Sequence, residues 1–376
     1  MKYFLIAGEA SGDLHASNLM AALKKEDPHA EFCFLGGDLM LQQGGRMIRH
    51  YKEMAFMGIL PVLLHAKTVL KNIKDCKSAI SEFQPDVLIL IDYPSFNLSM
   101  ARYVKEKHPT VKTFYYISPK LWAWKEYRIK SIKKYIDKMY CILPFEKDWY
   151  EDRGYEVEYV GNPCVDAVEN RKCKDEARTT FLDRNGLQDK PIVALLAGSR
   201  VQEIKSSLPI MMDAVAQFPD CQMIVAGAPS IDASLYQSLT KEKNVKVVSG
   251  ETYELLQQAD FAVVTSGTAT LETALLRVPQ VVVYKMSGGW LLHRFLELFI
   301  DAKNISLVNI IANKRIVEEL IIEEFTVERL VDEINKLMDA DNRGRILSEY
   351  DELIDMLGKE PVAEKTARLM CAELKC

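Results

Sequence analysis

The property that most restricts how this chain can fold is an alternation. Short apolar runs are separated by longer stretches with helical spacing. In the first half, strands are expected at 2–7, 31–36, 86–92, 111–117, 138–143 and 156–160, with helices such as 11–25 and 66–82 between them. Strands that alternate with helices form parallel sheets covered on both faces. The pattern restarts after a polar segment at 164–190, with strands expected at 192–197, 221–226, 245–248, 260–264 and 280–284. Helical patterns follow at 326–340 and about 343–374.

A chain of 376 residues is too long for one ordinary core and suits two. The boundary is expected near 165, just after Gly161-Asn162-Pro163. The expected class is α/β. One Rossmann-like parallel-sheet domain covers 1–165, a second covers 166–342, and a helical segment, 343–376, packs back on the first. Two such domains face each other across a cleft, and ligands bind at the carboxyl ends of the strands.

Composition removes several classes of function. Hydrophobic residues make up 48% and charged residues 27%, which is globular and not disordered. A net charge of −5 provides no global basic field, so nucleic acid is not an expected partner. Residues 1–7 read as a first strand and not as a secretion signal. No uncharged stretch approaches the roughly 18 residues that span a bilayer. The eight cysteines are scattered without a CxxC pair, which points to reduced thiols in the cytoplasm and to neither disulfides nor zinc. Residues 290–300 are apolar almost all round. Deep burial fits them, and so does a subunit interface in a homo-oligomer.

The motifs sit where such folds place ligands. Ala7-Gly8-Glu9-Ala10-Ser11-Gly12-Asp13 follows the first strand and opens a helix. Glycines let the backbone approach a ligand, and amides at a helix start favour anions, which makes Ser11 and Gly12 candidate substrate contacts. Ser11 or Asp13 can equally be a plain helix cap. The turn is not GxGxxG, and Phe34-Leu35-Gly36-Gly37-Asp38 comes closest to an acid ending the second strand, so NAD is disfavoured. In Val87-Leu88-Ile89-Leu90-Ile91-Asp92-Tyr93-Pro94, an apolar strand delivers Asp92 to its carboxyl end, where a carboxylate can act as a general base or merely cap a turn. Trp122 and Trp124, flanking Ala123, offer aromatic faces to a sugar or an acyl chain, or simply pack in a core.

The second half repeats this logic. Ala197-Gly198-Ser199-Arg200 ends its first strand, and Arg200 is a forked, permanent cation suited to a diphosphate. Glu203 supports that turn or starts the helix. Ser266, Gly267 and Thr268 open a helix after another strand, presenting free amides and hydroxyls to a phosphate. Glu272, one turn in, binds ribose hydroxyls or closes a capping box.

Residues 56–74 carry a membrane signal. A helix expected from about Pro61 has a core stripe of Val62, Leu63, Ala66, Val69, Leu70 and Ile73. Leu60 and Leu64 fall off it and align with Lys67 and Lys71, an apolar–basic face suited to a membrane surface. A second basic helix is expected with Lys125, Arg128, Lys130, Lys133, Lys134 and Lys138, although a solvated charged face explains many such helices. The candidate membrane residues are therefore Leu60, Leu63, Leu64, Lys67 and Lys71.

The runs AGEASGDLH, FMGI, PDVLILIDYPSFN, YYISPKLWAWK, LPFEKDWY, YVGNP, LLAGSRVQEI, SGTATLE and SLVNII, in this order, resemble the lipid-A-disaccharide synthases over nearly the whole chain. The resemblance implies a GT-B architecture and an inverting glycosyltransferase that uses no metal and no cofactor. It implies UDP-2,3-diacylglucosamine as donor, 2,3-diacylglucosamine 1-phosphate (lipid X) as acceptor, and a cytoplasmic protein held peripherally at the membrane. Asp92 falls on the family's essential aspartate and Arg200 on its functional arginine, while Ser11, Asn309 and Glu319 fall on other motif positions. Pro61, Ser95, Asn162, Ala197, Val308 and Ile322 depart from the usual glutamate, aspartate, histidine, proline, proline and glutamine. The loss at 95 singles out Asp92 as the acting carboxylate. The rivals are another UDP-sugar enzyme of this architecture, such as a UDP-N-acetylglucosamine epimerase or transferase, and a non-catalytic nucleotide- or lipid-binding protein.

Overall fold

The computed structural model describes residues 1–53, 66–123, 125–243, 245–285 and 304–375. The chain divides into two compact units, Met1–Pro163 with Lys359–Cys376, and Cys164–Gly358.

The first unit is built on seven parallel strands: β1 (Lys2–Ala7), β2 (Glu31–Gly36), β3 (Arg46–His50), β4 (Val87–Ile91), β5 (Lys112–Tyr116), β6 (Lys138–Cys141) and β7 (Glu158–Tyr159). Their order is β3-β2-β1-β4-β5-β6-β7. The second has β8 (Ile192–Leu196), β9 (Gln222–Gly227), β10 (Lys246–Ser249), β11 (Phe261–Thr265), β12 (Gln280–Tyr284) and β13 (Glu319–Ile321), in the order β10-β9-β8-β11-β12-β13. Both are doubly wound sheets whose strand order reverses beside the first strand, between β1 and β4 and between β8 and β11. An aspartate stands before the fourth strand of each set. Asp86 accepts the Lys2 amide at 2.7 Å, and Asp260 accepts the Ile192 amide at 2.9 Å, so each ties down the start of the neighbouring central strand.

Central strands are sealed on both faces. All five residues of β4 have no exposed surface, and each such side chain contributes about 1.5–3 kcal/mol by burial. Alternate residues feed two cores. Phe4, Ile6, Leu88 and Leu90 face one side, and Tyr3, Leu5, Val87, Ile89 and Ile91 face the other. The second core is closed by the helices Ala10–Glu26 and Val362–Lys375, the latter contributing Val362, Ala367, Met370 and Cys371.

Several expectations need correction. The helical pattern at 343–374 is two helices, Ala340–Leu357 and Val362–Lys375, broken by Gly358 (φ 78°) and Pro361. The expected limit at 342 thus falls inside a helix that stays with the second unit, and the return to the first begins at Lys359. In the helix Ala66–Phe83 the buried stripe is Asn72, Cys76, Ala79 and Ile80, while Leu70, placed in the core from its spacing, is 65% exposed near the helix start. The second basic helix is shorter than expected, Ile129–Tyr135, and Lys138 belongs to β6. Among the described residues no helix is long and apolar enough to cross a membrane.

Candidate active site

In the first unit, β4 runs out onto Asp92. Asp92 (φ 43°) and Tyr93 (φ 50°) are both left-handed, which is uncommon outside glycine, and Ile117 at the end of β5 has φ 63°. Two side chains hold the bend at 92. The Tyr115 hydroxyl donates to the Asp92 carbonyl at 2.6 Å. The buried Asn97 amide donates to the same carbonyl at 2.5 Å and to Ile91 at 3.2 Å. Pro94 then opens the helix Pro94–Lys107, where its fixed φ suits the first turn. With its backbone tied inward, Asp92 remains exposed at the strand-end edge. The protein mass packed behind the carboxyl raises its pKa, opposed by a hydrogen bond from the Tyr93 amide and by the charge of Lys120. A carboxylate with a raised pKa is a better proton acceptor.

The glycine turn after β1 is covered. A methyl group on Gly8 would lie 2.4 Å from the Tyr93 ring, so that ring rests on the glycine backbone. Neither Ser11 nor Asp13 caps the helix Ala10–Glu26, whose N-cap is Glu9. Ser11 is exposed and Gly12 buried. The buried Asp13 carboxylate instead accepts the amides of Gly37, Leu39 and Met40 at 2.8–3.1 Å, fixing the turn after β2. Trp122 is part of the scaffold. Its indole N–H donates to Glu146 at 3.2 Å beside Ser118 at 2.5 Å, and its ring meets Phe145 edge-on. Trp124, Leu60, Leu63 and Leu64 lie outside the described residues, Lys67 lies in the helix Ala66–Phe83, and Lys71 is exposed on it.

In the second unit the equivalent edge is hollow. A cavity of about 480 Å³ is lined by the turn after β8 (Gly198, Ser199, Arg200, Glu203), by Ala228, Pro229 and Thr252, and by Thr265, Ser266, Gly267, Thr268 and Glu272. Gly198 has φ 104°, and a Cβ there would strike Glu203 at 2.5 Å. Glu203 accepts from the Ser199 and Arg200 amides and from the Arg200 guanidinium at 3.0 Å. It supports the turn and holds the arginine. That exposed ion pair is cheap to open, because water competes with it. The helix Thr268–Leu275 starts at the cavity without a side-chain cap on its amides. The Thr265 hydroxyl is buried, lines the cavity and has no protein partner.

Glu272 makes no capping box. It accepts from the Tyr253 hydroxyl at 2.7 Å, and burial raises its pKa against that bond. Asn309 and Glu319 do not line the cavity. Glu319 accepts from the Ile305 and Ser306 amides and from Asn309, and Asn309 also bonds Ile316 and Val317. Both are buried and internally bonded. They brace residues 305–306, and the Ser266 hydroxyl donates to the Ile305 carbonyl at 2.8 Å. Thr252 and Tyr253 carry no motif signal of their own, while Thr265 and Lys120 lie in or beside quoted motifs without being singled out there.

Residues 3–370 match the sequence profile of a family described as lipid-A-disaccharide synthetase. The chain is 37% identical to the lipid-A-disaccharide synthase of Myxococcus xanthus over 97% of its length and 96% of that protein's. It is 36% identical to that of Syntrophus aciditrophicus, covering 99% and 97%. The chain belongs to the lipid-A-disaccharide synthetase family. It is thus a glycosyltransferase of lipid A biosynthesis. Its fold is also that of UDP-sugar enzymes of the GT-B class. The UDP-GlcNAc 2-epimerase of Neisseria meningitidis, solved with UDP-GlcNAc, superposes with a TM-score of 0.69 at 11% identity over 99% of this chain and 100% of that one. That of Methanocaldococcus jannaschii gives 0.66 at 13%, with the same coverage. Identity so low speaks for the fold alone, and the epimerase alternative is not favoured against synthetase relatives at 36–37%.

Proposed function

We propose that the chain transfers 2,3-diacylglucosamine from UDP-2,3-diacylglucosamine to the 6-hydroxyl of 2,3-diacylglucosamine 1-phosphate, lipid X, with inversion. The products are UDP and the β-1,6-linked disaccharide 1-phosphate. The Asp92 carboxylate takes the proton of the 6-hydroxyl as its oxygen bonds to the anomeric carbon. The bond from that carbon to the diphosphate breaks, and its electron pair leaves with UDP. Charge then grows on the diphosphate. Arg200 and the amides at 266–268 meet it in this reading, so no metal or cofactor is called on. Glu272, held by Tyr253, accepts from the ribose hydroxyls. Asn309 and Glu319 act one step removed, by bracing the segment to which Ser266 is bonded.

The observation that carries this reading is the hollow beside Arg200, where an uncapped helix start and a partnerless buried hydroxyl converge. Incubation with both diacyl substrates tests it, following UDP release and disaccharide. Turnover of UDP-N-acetylglucosamine alone, with no disaccharide from the diacyl pair, would reject it.

Each substrate carries two acyl chains, so the reaction belongs at a membrane surface. We place the enzyme in the cytoplasm against the inner membrane, docked through Leu60, Leu63, Leu64, Lys67 and Lys71. Replacing Leu60 and Leu64 with serine should weaken binding to anionic vesicles while the melting temperature holds. Undiminished binding would move the dock elsewhere.

A further inference from the structure

Two cations lie near Asp92, and the transfer step described above gives neither a role. β4 pairs with β5 so that Ile91 lies beside Tyr116, which sets Asp92 next to the turn that carries Lys120. The ammonium of Lys120 is exposed, has no partner among the described residues and acts electrostatically on Asp92. Arg128 reaches the same bend. Its guanidinium donates to the Ser95 hydroxyl at 2.8 Å, three residues after Asp92. That neutral hydroxyl is its only side-chain hydrogen-bond partner among the described residues, and Arg128 is half-buried. A serine hydroxyl leaves the guanidinium's charge available.

We propose that Lys120 and Arg128 form the subsite for the acceptor's phosphomonoester. The inference rests on the transferase reading above. A phosphomonoester carries about −1.5 to −2 charges, which two cations match. The planar guanidinium can engage two phosphate oxygens and lysine adds a point charge. The phosphate sits at C1 of the acceptor and the attacking hydroxyl at C6, across one pyranose ring. Cations that grip the first beside Asp92 leave the second within reach of the carboxylate. The pair is therefore both an affinity and an orientation device, and it would discriminate a phosphorylated acceptor from the bare diacyl sugar.

Initial rates with UDP-2,3-diacylglucosamine and two acceptors test this, 2,3-diacylglucosamine 1-phosphate and the same sugar without phosphate. The wild type should prefer the phosphorylated acceptor by on the order of a hundredfold in kcat/KM. Lys120→Ala and Arg128→Ala should each raise KM for that acceptor about tenfold, leave donor KM unchanged and shrink the preference. Lys120→Arg should restore it, and Ser95→Asp should erode it by recapturing Arg128. A preference that survives both alanine variants, or a loss falling equally on both acceptors or on the donor, overturns the phosphate subsite alone. A wild-type protein that makes no disaccharide from either acceptor overturns the transferase reading and the subsite with it.

Discussion

The two sheets share a strand order and differ in what stands at the point where it reverses. In the first unit the Tyr93 ring covers the Gly8 turn, and the chain displays a carboxylate on a bend locked by Asn97 and Tyr115. In the second, Ser266, Gly267 and Thr268 occupy the equivalent place, and a cavity of about 480 Å³ opens beside Arg200. Topology fixes where a site can form. The bulk of one or two residues after the fourth strand decides whether that place becomes a platform for a reacting group or a socket for a ligand.

The sharpest way to break this comparison is to remove the platform's carboxylate. Asp92→Asn should lower kcat by about 10³-fold while calorimetric UDP affinity stays at the wild-type value. If both fall together, the two units do not divide the work. The same residue predicts a pH effect. A base with a raised pKa stays protonated to higher pH, so wild-type log(kcat/KM) should rise with pH through an apparent pKa above the ordinary aspartate value of 3.8. A profile governed by a lower pKa would assign the proton transfer to another group.

The socket is tested next. Arg200→Ala should weaken UDP binding about 10–100-fold, measured by titration, with the melting temperature unchanged because its ion pair is exposed. Smaller is the effect expected at the covered turn. Gly8→Ala should destabilise the protein by about 1–3 kcal/mol, because the new methyl meets the Tyr93 ring. Adding Tyr93→Ala should recover part of the loss, whereas simple additivity would show that the ring is not what the methyl meets. Smallest is Thr265→Val. Removing a hydroxyl without a protein partner should leave thermal stability intact and cost UDP affinity about fivefold, roughly 1 kcal/mol. A lowered melting temperature with unchanged affinity would make the hydroxyl structural.

Much of this was legible in the residues, because buried parallel strands are written as uninterrupted apolar runs. β3 and β13 were not. Arg46-Met47-Ile48-Arg49-His50 is an edge strand with three polar positions, and β13 has three residues and begins on Glu319, so neither shows a run. The helix break at 358–361 is spelled out by Gly358 and Pro361, but apolar spacing that continues on both sides hides it. Site chemistry was harder. Asn309 and Glu319 stand out only through the resemblance, and in the structure both are buried and bonded to the chain around them. Glu203 supports its turn as the sequence suggests, and Asp13 satisfies the amides of a neighbouring turn where a cap of its own helix is expected. Tyr253 carries no motif mark, and Lys120 sits in a motif whose tryptophans draw the eye, because the importance of both lies in what stands next to them across strands.

The last helix, Val362–Lys375, completes a core that begins at Tyr3, and the Tyr3 hydroxyl lies 3.8 Å from the Cys371 sulfur. During synthesis the first sheet therefore waits, with the part of this face that Ala10–Glu26 does not cover left open, while the ribosome makes all of Cys164–Gly358. The nascent chain must shield that face for the whole interval, so the second unit is poised to finish folding before the first.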